Sequence, residues 1–351
     1  MRITNRMITT KYIKNLNTIA SDLNKLNTQV TTGRKFMTAS ENPAGAVKAF
    51  HVRRDLSKVE GYQNNIQHAK SALTNAESAL MHMQEIMKEA NVKILSSINS
   101  TKSEEDRKII ATELEHLQEQ LLQTLNSNAS GVYYFGGSNT DIKPFTVDEI
   151  TGDLIYNGQN LNQFDALSQV DQDKLTKDSQ YVDIGLGVQF DSSNDIDRRT
   201  VFEYSTPGIN IVGHGKTNLS YDGNSEQVSN NLYNILGHLI EEFNKPDESA
   251  SPDPDDAYST ERANALLGHF QDNSTRIVTS MTDIGAKTSY LDFMKGRYDS
   301  STLDMQERQM DVEAADPAET IIKFESQKVA YHAALQMGAQ IIQPSIFDFI
   351  R

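Results

Sequence analysis

The residues able to do chemistry are few and scattered. Eight histidines stand at positions 51, 68, 82, 116, 214, 238, 269 and 332. None forms a His-Glu-x-x-His pair that would place two imidazoles on one helical face for zinc. Cysteine is absent, which removes thiolate nucleophiles, disulfides, iron–sulfur clusters and cysteine-based zinc sites. The stretch Gly208-Ile-Asn-Ile-Val-Gly213-His-Gly-Lys216-Thr217 is close to a phosphate loop. That motif needs Lys directly after the second Gly, so that its ammonium reaches the phosphates; here His214 and Gly215 intervene, and the segment reads as a turn after a strand. Gly185-Leu-Gly187 starts a dinucleotide fingerprint and lacks its third glycine. Asp191-Ser-Ser-Asn-Asp195-Ile-Asp197 and Asp253-Pro-Asp255-Asp256 offer oxygens to calcium. Both lack the central Gly and terminal Glu of a calcium loop and read as solvated acidic loops. No Gly-x-Ser-x-Gly elbow occurs. The residue types assign no catalytic, metal-binding or cofactor-binding position, and the chain is read as a non-enzyme.

Charge separates the chain into two kinds of material. Its 351 residues carry 33 Lys plus Arg against 48 Asp plus Glu, a net charge of −15. Residues 131–262 hold 8 basic and 23 acidic side chains, so the whole excess lies there and the flanks are balanced at 25 of each. Nucleic-acid affinity comes mainly from Lys and Arg displacing phosphate counterions, so an acidic chain predicts no such partner. No apolar run approaches the ~18 residues of a membrane span. The opening MRITNRMITTKYIKNL is basic and polar with no apolar segment, which predicts no cleaved signal peptide.

The elements that would position any function are long helices. Tyr12, Leu16, Ile19, Leu23, Leu26 and Val30 step by four and three, a single coiled-coil seam, and Gly33 then ends the helix. After the turn Ser40-Glu41-Asn42-Pro43 a second stripe runs Val59, Tyr62, Ile66, Ala69, Leu73, Ala76, Leu80, Met83, Met87, Ala90, Ile94. Ser103-Glu104-Glu105-Asp106 reads as a helix cap, with Ile110, Leu114, Leu117 and Leu121 inward. Helical spacing returns at Val228, Leu232, Ile235, Leu239 and Phe243, and again from Ala263 through Leu266, Phe270, Ile277, Ile284 and Leu291 to Met305. Asp316-Pro317-Ala318-Glu319 is a fresh N-cap before a last helix carrying Ile321, Phe324, Tyr331, Leu335 and Ile342.

Between these helices the texture changes. Asn157-Gly158 and Asp222-Gly223 are hairpin turn pairs. Tyr181 to Val188 alternates, and Val201-Phe202 and Ile209 to Val212 are further strand candidates. The predicted architecture is α+β and elongated. Residues 1–35 and 316–351 form terminal coiled-coil helices, 36–130 and 225–315 a helical rod, and 131–224 an inserted acidic β-rich domain. Narrow single-seam helices are marginal alone, which predicts terminal arms that order mainly against other copies and an inserted segment, 146–222, that assembly can do without.

Particular residues carry a family resemblance. Thr32-Gly-Arg-Lys-Phe-Met-Thr-Ala-Ser-Glu-Asn-Pro-Ala-Gly-Ala46 resembles the segment joining the outer terminal helix to the first rod helix in bacterial flagellins and flagellin-like junction proteins. Glu41-Asn42 departs from the two Asp common there. Ser130-Gly-Val-Tyr-Tyr-Phe-Gly-Gly137, the opening Met1-Arg-Ile-Thr and the final Ile341-Ile-Gln-Pro-Ser-Ile-Phe-Asp-Phe-Ile-Arg351 are similar to the junction members. The resemblance implies a structural subunit at the hook–filament junction, outside the cell and exported through the flagellar type III route. Its implied partners are copies of itself in a ring, the first hook-associated protein, filament flagellin and an export chaperone. The expected subunit-interface residues are Tyr12, Leu16, Ile19, Leu23, Leu26, Val30, Ile321, Phe324, Tyr331, Leu335, Ile342, Phe347 and Phe349. The same architecture also fits a filament flagellin, or a secreted adhesin or enzyme carried on flagellin-like helices.

Overall fold

The computed structural model describes residues 2–98, 102–191, 196–247 and 257–341. The fold is α+β, and the chain forms two compact units: Met1–Gly61 with Tyr298–Arg351, and Tyr62–Arg297. Eight helices occur among the described residues: α1 Arg2–Thr32, α2 Pro43–Ile98, α3 Glu104–Leu125, α4 Gln169–Thr176, α5 Gly208–Val212, α6 Leu232–Asn244, α7 Thr260–Glu313 and α8 Pro317–Ile341.

Local chemistry sets the helix ends. Gly33, at φ 69°, closes α1 with its N–H on the Gln29 carbonyl at 2.8 Å, a left-handed cap that glycine adopts without a Cβ penalty. Asn42 accepts the Gly45 N–H at 2.9 Å and Pro43 takes the first helical position, where a missing N–H costs nothing. Ser103 accepts the Asp106 N–H at 3.3 Å. Asp316 accepts from Ala318 and Glu319 at 2.9 and 3.1 Å.

In the unit Tyr62–Arg297 the apolar stripe of α2 is buried from Ile66 to Ile94. Polar ties hold its neighbours: Lys93 to Glu113 of α3 at 2.8 Å, Gln271 of α7 to Asn91 at 2.8 Å, and Lys70 to Asp292. Helices α3 and α6 approach closely where Gly237 faces Gln118, whose amide is bonded to the Tyr233 carbonyl at 2.8 Å.

Residues 128–229 fold as fragments of sheet. The antiparallel pairs are β1 (Asn128–Ala129) with β2 (Val132–Tyr133), and β3 (Phe145–Val147) with β4 (Leu154–Tyr156), to which β5 (Gln159–Asn160) adds. Next come β6 (Tyr181–Val182) with β7 (Phe202–Glu203), and β8 (Lys216–Tyr221) with β9 (Asn224–Ser229). Asn157-Gly158 and Asp222-Gly223 make the anticipated hairpin turns with positive φ at both positions, and Ser130-Gly131 makes a third. The core here is Phe135, Phe145, Leu154, Tyr156, Leu161 and Phe164. The Tyr156 hydroxyl donates to the Phe135 carbonyl at 3.1 Å, and burial pushes that phenol upward.

Three expectations need correction. Ile209 to Val212 is helix α5, not strand, with Ile209, Ile211 and Val212 all buried: burial around the turn outweighs the β preference of branched residues. Strand structure after Tyr181 stops at Val182. Asp183 there accepts the Gly185 N–H at 2.8 Å, and Gly185 and Gly187 sit at φ 83° and 82°, which breaks the alternation into turns. Val228 lies in β9 rather than in a helix. Residues 153–229 are tied to α6 and α7 by side-chain bonds. Asp153 takes Asn160 and Asn234 amides at 2.9 and 3.0 Å, Leu154 N–H meets Asn234 at 3.0 Å, and His269 of α7 contacts the Ser229 carbonyl at 3.0 Å.

One charged group is fully enclosed. The Glu242 carboxylate accepts the Ser259 N–H at 2.6 Å, pairs with the Arg262 guanidinium and meets Lys245 at 3.3 Å. Arg262 also holds Glu226 at 2.9 Å. A buried charge robbed of its partner is expensive, so Arg262→Met is expected to cost about 3 kcal/mol in urea unfolding.

In the other unit, the residues after α1 are tied to those between α7 and α8. Ala315 N–H donates to the Gly33 carbonyl at 2.8 Å and Lys35 N–H to the Glu313 carbonyl at 2.7 Å. Arg53 pairs with Glu313 at 2.6 Å and holds that carboxyl below its usual range. A carboxyl depressed in the folded state stabilises above its unfolded pKa of about 4.3 and loses that contribution as pH falls below it. Protection factors at Lys35 and Ala315, referred to intrinsic exchange at each pH, are therefore expected to fall on acidification below about pH 4.3, and Arg53→Gln to flatten that dependence.

Candidate assembly interface

Helices α1 and α8 pack on each other within the unit Met1–Gly61 with Tyr298–Arg351. On α8, the residues withdrawn from solvent among the described side chains are Thr320, Phe324, Gln327, Tyr331, Ala334 and Gly338. Their steps are four, three, four, three, four, the heptad pattern that keeps one seam facing one partner. Facing them on α1 are the partly buried Tyr12, Leu16, Ile19, Leu23 and Leu26. The Tyr12 hydroxyl donates to the Ala334 carbonyl at 2.8 Å. Gly338 is required beside it, because a Cβ there would lie 2.1 Å from the Tyr12 oxygen.

This geometry divides the expected interface residues. Tyr12, Leu16, Ile19, Leu23, Leu26, Phe324 and Tyr331 line the seam between two helices of the same chain, so α1's stripe finds its partner without a second copy. Val30, Ile321 and Leu335 are exposed, at 39%, 50% and 42%. Ile342, Phe347 and Phe349 lie outside the described residues.

Sequence reasoning missed a second face of α8. Ile322, Val329 and Met337 are exposed at 69%, 67% and 56%, and with Ser326 and Ala333 they step by four, three, four and four along the side opposite the α1 seam. No charge interrupts that stripe; Lys323 pairs with Glu319 and Lys328 with Glu325 off to its flanks. The signal for it was available, since a helix apolar on all sides is normally covered on all sides. The outward side of α1 is different, carrying Lys11, Lys14, Thr18, Asp22 and Lys25.

The unit's burial is as uneven. Of forty-nine buried apolar residues among those described, four belong to it: Ala49, Val59, Tyr298 and Ala334. It nevertheless holds about a third of the chain, and half of the twenty-eight large apolar side chains left exposed. Catalytic geometry is a different matter: among the described residues no group of three or more His, Asp or Glu side chains is arranged to hold a metal ion.

Residues 3–140 match the bacterial flagellin N-terminal helical region. Flagellar hook-associated protein 3 of Salmonella typhimurium LT2 is 28% identical over 153 residues, 43% of this chain and 48% of that protein; the match thus spans about half the length of this curated relative. Among solved structures, one from Vibrio parahaemolyticus assigned as a flagellar hook-associated protein aligns with a TM-score of 0.58 at 22% identity, covering 78% of this chain and all of that one. The flagellar junction protein FlgL from Legionella pneumophila aligns at 0.53 and 14% identity, covering 76% of this chain and 100% of its own. These likenesses establish a shared fold. Its N-terminal 3–140 region is similar to the flagellin N-terminal helical region, and part of the chain is similar to flagellar hook-associated protein 3.

Proposed function

We propose that this chain is a structural subunit of the bacterial flagellum, placed outside the cell where hook meets filament. Copies of it form a ring, with the first hook-associated protein on one side and filament flagellin on the other, after export with the help of a chaperone and without signal cleavage. The names of its relatives support the location. The observation that carries the mechanism is the poorly buried terminal unit, whose α8 offers an uncharged stripe that no side chain among the described residues covers. No catalytic step is part of this role.

Assembly supplies the missing burial. A large apolar side chain contributes about 1.5–3 kcal/mol when fully buried, so Ile322, Val329 and Met337 together offer roughly 5–9 kcal/mol per subunit on the same scale. Because α1 and α8 are already paired, much of their ordering cost falls before docking, which favours association of preformed pairs over the folding of loose arms. The contact joins unlike faces, the apolar stripe of one α8 and a different surface of its neighbour, and such head-to-tail contacts close into rings or continue into helices according to their rotation.

Electron microscopy of the purified chain, alone and mixed with isolated hooks carrying the first hook-associated protein, tests the proposal. A short addition at the hook tip that then permits flagellin growth is expected; filaments from the chain alone would make it a flagellin instead. Val329→Asp is expected to abolish tip addition while leaving the thermal midpoint of the monomer unchanged. Gly338→Ala acts on the inner seam by displacing Tyr12, so its expected signature is faster hydrogen exchange across residues 9–26 in the monomer itself.

A further inference from the structure

We propose that the unit Tyr62–Arg297 carries a binding site for a single neutral sugar ring. The site is a cleft of about 200 Å³. One wall is the side of α2 bearing His68 and Asn75, a second is the β1–β2 hairpin with Tyr133 and Tyr134, and a third is the segment around Gln180, Tyr204 and Thr206. A water molecule's share of liquid volume is about 30 Å³, so the cleft holds the space of roughly seven waters, the size of one six-membered ring with its substituents.

Three properties of the lining define the ligand. No Asp, Glu, Lys or Arg lines the cleft, although charged residues make up 23% of the chain. Burial also pushes the Tyr204 phenol up, keeping it protonated. An ionised ligand would lose hydration here with no counter-charge in return. A purely apolar ligand fits no better, because the cleft holds unspent hydrogen-bonding capacity. Gln180 spends its carbonyl oxygen on the Tyr204 hydroxyl, leaving its amide N–H groups to donate, and Asn75 brings a second side-chain amide to the lining. The third property is aromatic. His68 meets Tyr204 edge-on at 5.9 Å, and the hairpin adds two more tyrosines, above the small floor of Ala72 and Ala76. Aromatic faces carry negative charge density and attract the weakly positive C–H groups of a pyranose, while its hydroxyls meet the amide and hydroxyl groups of the rim. A neutral sugar satisfies all three properties at once.

The site is independent of ring assembly, and its test uses the intact chain. Saturation-transfer NMR would be run with methyl α-glucoside, methyl α-galactoside, methyl α-mannoside and N-acetylglucosamine, with acetate and inorganic phosphate as charged controls. Transfer to the ring protons of at least one glycoside, and none to acetate with no phosphate line broadening, is the expected result. Gln180→Met, which removes those amide donors, is expected to weaken that binding about tenfold. Asn75→Ala, at an exposed position, gives a second variant whose folding is not at risk. Absence of transfer from every glycoside, or transfer undiminished in both variants, overturns the proposal, as does phosphate binding that the same variants abolish.

Discussion

The heptad seam between α1 and α8 is the contact on which the terminal unit depends. Six residues of α8 meet the stripe of α1 at steps of four and three, and a single phenol bonded to the Ala334 carbonyl fixes their register. Two small positions, Ala334 and Gly338, let the backbones come close enough for that bond. Few buried apolar residues lie elsewhere in the unit, and the seam is supplemented by the ties of Gly33 to Ala315 and of Lys35 and Arg53 to Glu313. The choice of residues follows. Beside Phe324 and Tyr331 the seam uses Thr, Gln, Ala and Gly where a self-sufficient bundle would use Leu and Ile, and Ile322, Val329 and Met337 of α8 are turned the other way.

The contrast with the unit Tyr62–Arg297 is one of ordinary protein physics. There the long stripes of α2 and α7 are matched by α3, α6 and a compact aromatic cluster, and a buried carboxylate is fully compensated by Arg262, Lys245 and a backbone N–H. Such a unit can be stable alone. A helix pair with one thin seam sits at the low end of the stability range, where elements that rearrange or dock are commonly found.

Much of this was legible in the residues. Sustained spacing of four and three located the long helices, because a polar face on α2 fixed the phase of its stripe. Ser103, Asp316 and Gly33 marked helix ends through bonds that their side chains or backbone freedom make possible, and Asn157-Gly158 and Asp222-Gly223 marked hairpins because both positions need positive φ. Failures came where those signals cancel. Ile209, Ile211 and Val212 are β-branched and buried, so propensity pointed one way and packing another. On α8 apolar residues lie on several sides of the axis, so spacing alone sets no single phase; Phe324 and Tyr331 lie on the seam facing α1, while Ile321 and Leu335 lie on neighbouring, exposed faces. Thr320, Gln327 and Gly338 carry no hydrophobic signal, since what they contribute is closeness.

The bond from Tyr12 to Ala334 joins residues 322 positions apart in sequence. Contacts of such separation demand closure of nearly the whole chain, and their entropic cost falls sharply once the intervening residues have become compact. During synthesis from the N-terminus, α1 exists long before its partner helix has been made, and its stripe stays unpaired until the final residues arrive. The terminal pair is thus a late-closing latch, whose formation reports that everything between its two halves has already been built.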